Sequence, residues 1–528
     1  MTKMKGLLLG AAAGLATVAS AQAADLPVKA APVEYVKVCS LYGAGFFYIP
    51  GTDTCLKIGG YLRSDHGYGA GNATGGYYLS AVGGVGSGAN RLQTDNYTFR
   101  ARVNLTTDFR TQSDYGTIRA YAAIIGQQTQ GDASANGSAG ILRAFIQFAG
   151  FTVGHAVSYY DFMNGADYGY VASVWAPSTG VNGTDLIAYT WQIGNGFSAS
   201  IDIEDGGNGV GPAGGTGRGK VLFNASNGTT LNTVGNAAGT GGITPTNDAA
   251  RAMQPDLAAN LRVDQAWGSA QVMAALHNAS GGYYSNFPGL PAPAAVAPGL
   301  LPGNQVFGHP GEAWGYAVGV GGKLVNFILP RDTIEGQASF CHGAQSYCVS
   351  TGLYGQTFVY GSGNTVSMAY AADGVFVNGS QIELTNGFNW ALAYQHYWNP
   401  QWRTAIVGGQ SFTWYDSTAQ GMLCGTVGGS ANVGGAGGTG INGIVPIANG
   451  IGACNPNSSQ TSFSTRTAWN PHPFLEIGLD LIWYHQQTAN AGGFIALTAN
   501  GGRPAGVYQA VNLDAYMAVL RFQKNILP

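Results

Sequence analysis

The sequence predicts an all-β chain that closes into a transmembrane antiparallel β-barrel of sixteen strands. Three observations carry this. First, charged residues make up only 9% of the chain and hydrophobic residues 45%, against about 25% charged in an ordinary soluble domain. Past the N-terminus there is no uncharged apolar run of helix-spanning length, so a closed barrel is the remaining way to satisfy every backbone group in lipid. Second, segment after segment alternates apolar and polar residues with a period of two. Third, long Gly-rich connections alternate strictly with tight turns, which suits short periplasmic turns and long external loops.

The strands follow in order. The first covers Leu56 to Asp65. From Thr98 to Arg110 one face carries Phe99, Ala101, Val103, Leu105 and Phe109, and the other carries Arg100, Arg102, Asn104, Thr106 and Asp108. "QSDYG" then turns into a partner strand with Ile118, Ala120, Ala122 and Ile124 on one face, which makes a hairpin. Further hairpins turn at Ala149 and Gly150, at Asn195, near Gln265, near Pro330, at Pro400 and at Pro471, and the last strand covers Val511 to Gln523. The turn residues are Gly, Pro, Asn or Asp, as tight connections require. Long segments lie at about 66–94, 127–140, 161–184, 206–255, 279–312, 343–386, 416–463 and 488–509.

The N-terminus, residues 1–23, reads as a signal peptide: Lys3 and Lys5 precede an apolar run that ends in Ala21, Gln22 and Ala23. Its removal takes two lysines from the 23 basic residues, leaving 21 against 26 acidic ones, a balance of −5. No basic excess suggests nucleic acid. Net acidity predicts a weak preference for cations. The six cysteines fall in close pairs, Cys39 with Cys55, Cys341 with Cys348 and Cys424 with Cys454, which implies an oxidising compartment. Fifteen pairings are possible; pairing of neighbours would staple three local loops. A zinc site is disfavoured by the absence of CxxC or clustered Cys/His spacing. The expected organisation is a signal peptide (1–23), a periplasmic segment with a disulfide loop at the foot of the first strand (24–55), and the barrel (56–528).

Other motifs dissolve on inspection. "GGTGRGK", Gly214 to Lys220, has Val221 where a phosphate-binding loop needs Ser or Thr, so it reads as a solvated Gly-rich loop. "GGAGGTGING" lacks the aspartates of calcium-binding repeats. His155, Ser158 and Asp161 do not form a nucleophile triad, because His155 and Ser158 fall on opposite faces of a strand and the mature chain has no GxSxG elbow. No enzyme activity and no cofactor are expected. Trp191, Trp390, Tyr394, Trp398, Trp402, Trp414, Trp469 and Trp483 suit interfacial girdles.

"PVEYVKVCSLYGAGFFYIPGTDTCLKIGGYLR", the hairpin "YWNPQWRT" and the closing "YMAVLRFQ" resemble the general-diffusion porins of alphaproteobacteria. The resemblance covers the ends and scattered turns. It implies a sixteen-stranded barrel in the Gram-negative outer membrane, usually a homotrimer, with the third long loop folded into the pore; here that loop is Asp161 to Asp185. Where such porins end on an aromatic residue, this chain follows Phe522 with "QKNILP".

The expected function is passive diffusion of small hydrophilic solutes and ions through a water-filled lumen; the alternative is an adhesin or receptor that uses its long external loops. Alternation places Arg63, Arg100, Arg102 and Arg143 on lumen positions of neighbouring strands, where their stems form one basic wall of a constriction. Asp161, Asp167 and Asp185 of the infolded loop are expected to supply the opposing acidic wall and so a transverse field. Ala144, Ala149, Gly150, Gly154 and Ala156 make a small-residue wall suited to contact between subunits.

Overall fold

A computed structural model of the chain describes residues 37–69, 97–129, 138–171, 178–179, 183–207, 218–230, 243–284, 305–349, 355–361, 363–423, 455–497 and 506–527. The chain divides into two compact units, Met1–Leu56 and Lys57–Pro528. The signal-peptide residues and the pair Cys424 and Cys454 lie outside the described residues.

The first unit is organised by a disulfide. Cys39 is bonded to Cys55 with their Cα atoms 6.0 Å apart. Between them a 3-10 turn, Ser40–Tyr42, leads to the short strand Phe47–Tyr48, which pairs back onto Leu56 and Cys55. So small a segment has little apolar surface to bury. Cys39, Phe46 and Cys55 form its buried centre, with Tyr42 and Tyr48 packed against it, and the crosslink restricts the unfolded chain by about 3 kcal/mol.

The second unit contains the sixteen-stranded barrel. Its strands are β1 (Cys55–Tyr68, begun in the first unit), β2 (Tyr97–Ser113), β3 (Gly116–Thr129), β4 (Ser138–Phe148), β5 (Phe151–Ala156), β6 (Thr184–Gly194), β7 (Phe197–Glu204) and β8 (Asp256–Gln265). Then come β9 (Gly268–Ala279), β10 (Ala313–Val325), β11 (Thr333–His342), β12 (Asn386–Tyr397), β13 (Trp402–Trp414), β14 (Ser458–His472), β15 (Leu475–Gln487) and β16 (Leu513–Asn525). Each pairs with the next, and β16 pairs antiparallel with β1 from Tyr61↔Asn525 to Tyr68↔Ala518, which closes the cycle. On β10, Trp314, Tyr316, Val318, Val320 and Leu324 point outward and are exposed, as a lipid-facing surface requires. The tight turns Ala149–Gly150 and Asn195–Gly196 hold positive φ at both residues, 50° and 89°, and 52° and 79°, the geometry that matches strand twist in two-residue hairpins.

Boundaries differ from expectation at several strands: the first runs on to Tyr68 and the last spans Leu513–Asn525. The second long connection shrinks to 130–137, because β3 and β4 stay paired beyond Gly126 to Gln127↔Ser138. β14 begins at Ser458 rather than near 464. The turn expected at Pro471 falls at Pro473 and Phe474; Pro471 sits inside β14, where a bulge between Trp469 and His472 spares the hydrogen bond it cannot make.

The long loops carry structure of their own. Leu222–Thr230 and Ile243–Asn247 of the fourth loop join Gly374–Phe376 and Glu383–Leu384 of the sixth in one four-stranded sheet. Gly355–Tyr360 and Thr365–Ala371 of the sixth loop join Phe494–Leu497 and Gly506–Ala510 of the eighth in another. Phe223, Met368, Tyr370, Val375, Tyr415, Met422 and Tyr508 pack between them in a common apolar core. Cys341, at the end of β11, is bonded to Cys348 of the sixth loop.

Candidate functional site: a lumen divided by the third loop

Inward positions along β1–β4 are polar by alternation. Arg63 and Asp65 share the inner face of β1, and Arg100, Arg102, Asn104, Thr106, Asp108 and Arg110 share that of β2. Arg143 reaches the same side through a bulge: Ala123 pairs with Arg143 but Ile124 with Ile141, so Leu142 is the extra residue. Without it, Ile141 and Arg143 would share a face and one of them would lie on the wrong side. All four arginines of the expected basic wall therefore face the lumen.

Their partners were not anticipated. The Asp65 carboxylate is fully buried and accepts from Arg100 at 2.7 Å and from Arg521 of β16 at 2.6 Å, with Arg63 3.6 Å away. Arg102 donates to Gln127 of β3 at 2.9 Å. Lower on the same wall, Asp108 holds Arg110 at 2.8 Å and Arg119 at 3.0 Å.

The third loop leaves β5, enters the lumen and fastens to the far wall. Asn260 of β8 donates to the Tyr159 carbonyl at 2.6 Å, and Gln337 of β11 accepts from the Phe162 and Met163 amides at 3.1 and 3.0 Å. Gly321 on β10 gives Phe162 its place: a Cβ there would lie 2.3 Å from the ring. Tyr168 donates to Glu335 of β11 at 2.6 Å. Tyr170 reaches β15, its amide donating to Asp480 at 2.6 Å and its hydroxyl to Glu476 at 2.8 Å, while its ring lies 3.9 Å from the Arg521 guanidinium. Met163, Tyr168, Tyr170 and Val171 bury against Ala391, Ala393, Ala405, Val407 and Ile482 of β12, β13 and β15.

The expected acidic wall is largely corrected. Asp161 does not face water: its oxygens pair with Arg218 of the fourth loop and accept from the Thr179 amide and hydroxyl, each at 2.6 Å. Arg218 is itself 1% exposed, and Lys220 is 0% exposed, so neither belongs to a solvated Gly-rich loop. Burial opposes the Arg218 charge, but Asp161 and Glu204 outweigh it and raise its pKa. Asp185 falls in β6 on the outer face, with Ile187, Tyr189 and Trp191, and pairs with His155 at 2.7 Å. Asp167 alone is exposed in the lumen; burial of its surroundings and the nearby Glu335 raise its pKa, against the pull of Lys323.

Sequence reasoning also missed Asp65, Glu335, Arg403, Arg466, Glu476, Asp480 and Arg521. Each sits on the inner parity of its strand, so the signal was present. What alternation could not supply was the loop that meets them. Beneath the loop sheets a second polar knot is fully buried: His277 of β9 touches Asp256 of β8 at 2.7 Å, and Tyr347 of the sixth loop donates to Glu204 of β7 at 2.6 Å. Among the described residues, no group of three or more His, Cys, Asp or Glu could hold a metal ion.

The comparisons with known proteins agree with this architecture. A family model described as "Porin subfamily" matches residues 25–509. The chain is 36% identical over 211 residues to porin Omp2b of Brucella suis, covering 39% of this chain and 52% of that protein. It is 37% identical over 227 residues to porin Omp2a of Brucella ovis, covering 39% and 61%. The match thus spans little more than half the length of these relatives. Among solved structures, the outer membrane channel DcaP of Acinetobacter baumannii shares the fold with a TM-score of 0.53 at 13% identity, covering 91% of this chain and 99% of that one.

Proposed function

Because the chain belongs to the porin subfamily, we propose that it forms a water-filled channel through which small hydrophilic solutes and ions diffuse passively across the Gram-negative outer membrane. The observation that carries this reading is a closed barrel with an apolar outside, a polar inside and one loop fastened across its interior. Such a lumen replaces part of a solute's hydration without binding it tightly, which is the condition for rapid passage. Residues 1–23 are removed on export, 24–55 form a periplasmic segment, and the barrel follows from 56. The narrowest part of the passage lies between Arg63, Arg100, Arg102 and Arg143 on one side and the third loop with Asp167 on the other.

We also assign assembly as a homotrimer, with β4 and β5 in the contact. β5 is only six residues long, and a wall that low suits protein neighbours better than lipid. Phe522 lies on the outer face of β16 and is 41% exposed, where it can serve the assembly machinery despite the residues after it.

Conductance of the purified protein in planar bilayers tests the channel directly. Steady open-channel current is expected, and liposome swelling should slow as neutral sugars grow. An anchor for external loops that bind a partner would give neither. Arg102→Ala should raise the size limit for sugars, whereas an unchanged limit would remove Arg102 from the constriction.

A further inference from the structure

The two walls of the lumen have opposite charge, and the third loop fastens mainly to the acidic one, touching the other at Arg521 and Arg143. Among the described residues, the inner face of β1–β4 and β16 carries Arg102, Arg110, Arg119 and Arg143 beside the Asp65 cluster with its three arginines, against two carboxylates, Asp65 and Asp108. The opposite wall carries Asp202, Glu204, Asp256, Asp264, Glu335, Glu476 and Asp480, against Arg262, Lys323, Arg403 and Arg466. Tyr168 caps Glu335, and Tyr170 caps both Glu476 and Asp480. Glu204 and Asp256 lie under Tyr347. Side-chain exposure records the outcome: 27% for Arg110 and Arg119 and 34% for Lys323, against 5% for Glu335, 12% for Glu476 and 0% for Asp480.

The acidic residues of the loop do not restore the balance. Asp161 is neutralised by Arg218, Asp185 is on the outer face, and Asp167 has Lys323 near it. Water in the passage therefore meets mainly guanidinium groups.

We infer that the third loop screens the acidic half of the lumen, so that the passage favours small anions, such as halide, phosphate and short carboxylates, over cations, although the chain as a whole is acidic. This rests on the channel reading above. It reverses the cation preference that net charge predicts, because a permeating ion responds to charges a few ångströms away across water rather than to the protein's total.

The test is reversal potential of the full-length protein in planar bilayers under a potassium chloride gradient at low salt and pH 7. A chloride-over-potassium permeability ratio of about 3 is expected, falling toward 1 as concentrated salt screens the wall. Arg102→Gln combined with Arg143→Gln should lower the ratio by about half, with heat-dependent gel mobility confirming that the barrel has formed. Should that variant not fold, the ratio of the unaltered protein decides. An open channel with a ratio below 1 overturns the inference and leaves the channel reading standing. No channel current at all overturns both.

Discussion

The walls formed by β1–β4 and by β8–β15 use the same alternation, yet one stays open to the passage and the other is built over. On the open side, two carboxylates are shared among an excess of arginines: Asp65 ties three from β1, β2 and β16, and Asp108 ties two from β2 and β3. On the covered side, ion pairs within the wall, Glu335 with Lys323 and Glu476 with Arg403, are overlaid by loop tyrosines and backbone amides that arrive from far along the chain. The difference teaches that a lumen's character depends less on its inward residues than on which of them a loop leaves in water. Opposite charges on two strands can be planned by position; covering one of them needs a third element.

The comparison can be broken most severely at Asp65. Asp65→Asn would leave Arg63, Arg100 and Arg521 crowded without their common carboxylate, and stability should fall by about 3–5 kcal/mol. Thermal unfolding in detergent would read this, and an unchanged midpoint would mean that water, not Asp65, balances the cluster.

On the covered side, Tyr170→Ala removes the ring against Arg521 and the cap over Glu476. The third loop should loosen, single-channel conductance should rise by about half, and selectivity should move toward cations as Glu476 and Asp480 meet water. Tyr170→Phe keeps the ring and the amide contact to Asp480 and should do much less.

A smaller effect comes from pH. Because burial and Glu335 raise the pKa of Asp167, its proton binds above the ordinary carboxylate value of about 4. Lowering the pH from 7 through that raised value removes a negative charge from the loop and should increase anion preference, a change absent in Asp167→Asn. The smallest change in selectivity is expected for Cys341→Ser, which releases the sixth loop from β11 at a cost of about 2 kcal/mol in the chain-entropy account but leaves both walls intact. A shift in its reversal potential would show that the sixth loop also takes part in screening.

The barrel was legible in the sequence because lipid imposes a strict demand at every second residue, and Phe99 to Phe109 or Trp314 to Leu324 meet it without help from tertiary structure. Strand ends were less legible. β3 and β4 continue pairing past the apolar belt, where the demand has ended and Gln127 or Ser138 serves as well as Ile. A third loop that ends at Asp185 runs two residues into β6, and the parity of Ile187 and Tyr189 already puts Asp185 outside. Asp161 and Arg218 could not be matched, since nothing local in "GGTGRGK" says that its arginine will lie buried against the third loop. The partners of Tyr168 and Tyr170 stand far away in sequence, on strands whose own pattern is complete without them.

The sheets that the fourth, sixth and eighth loops share have a kinetic consequence. Val221 donates to Asp373, 152 residues away in sequence, and Thr365 and Gln509 pair in parallel across a similar gap. Contacts of such separation cost the most chain entropy when formed first. They become cheap once the barrel holds the roots of the loops together. The canopy should therefore assemble after barrel closure, and its amides should exchange with solvent hydrogen before those of the strands beneath. A protease acting from outside would meet the part of the molecule that folds last, and could nick it while the wall that crosses the membrane stays closed.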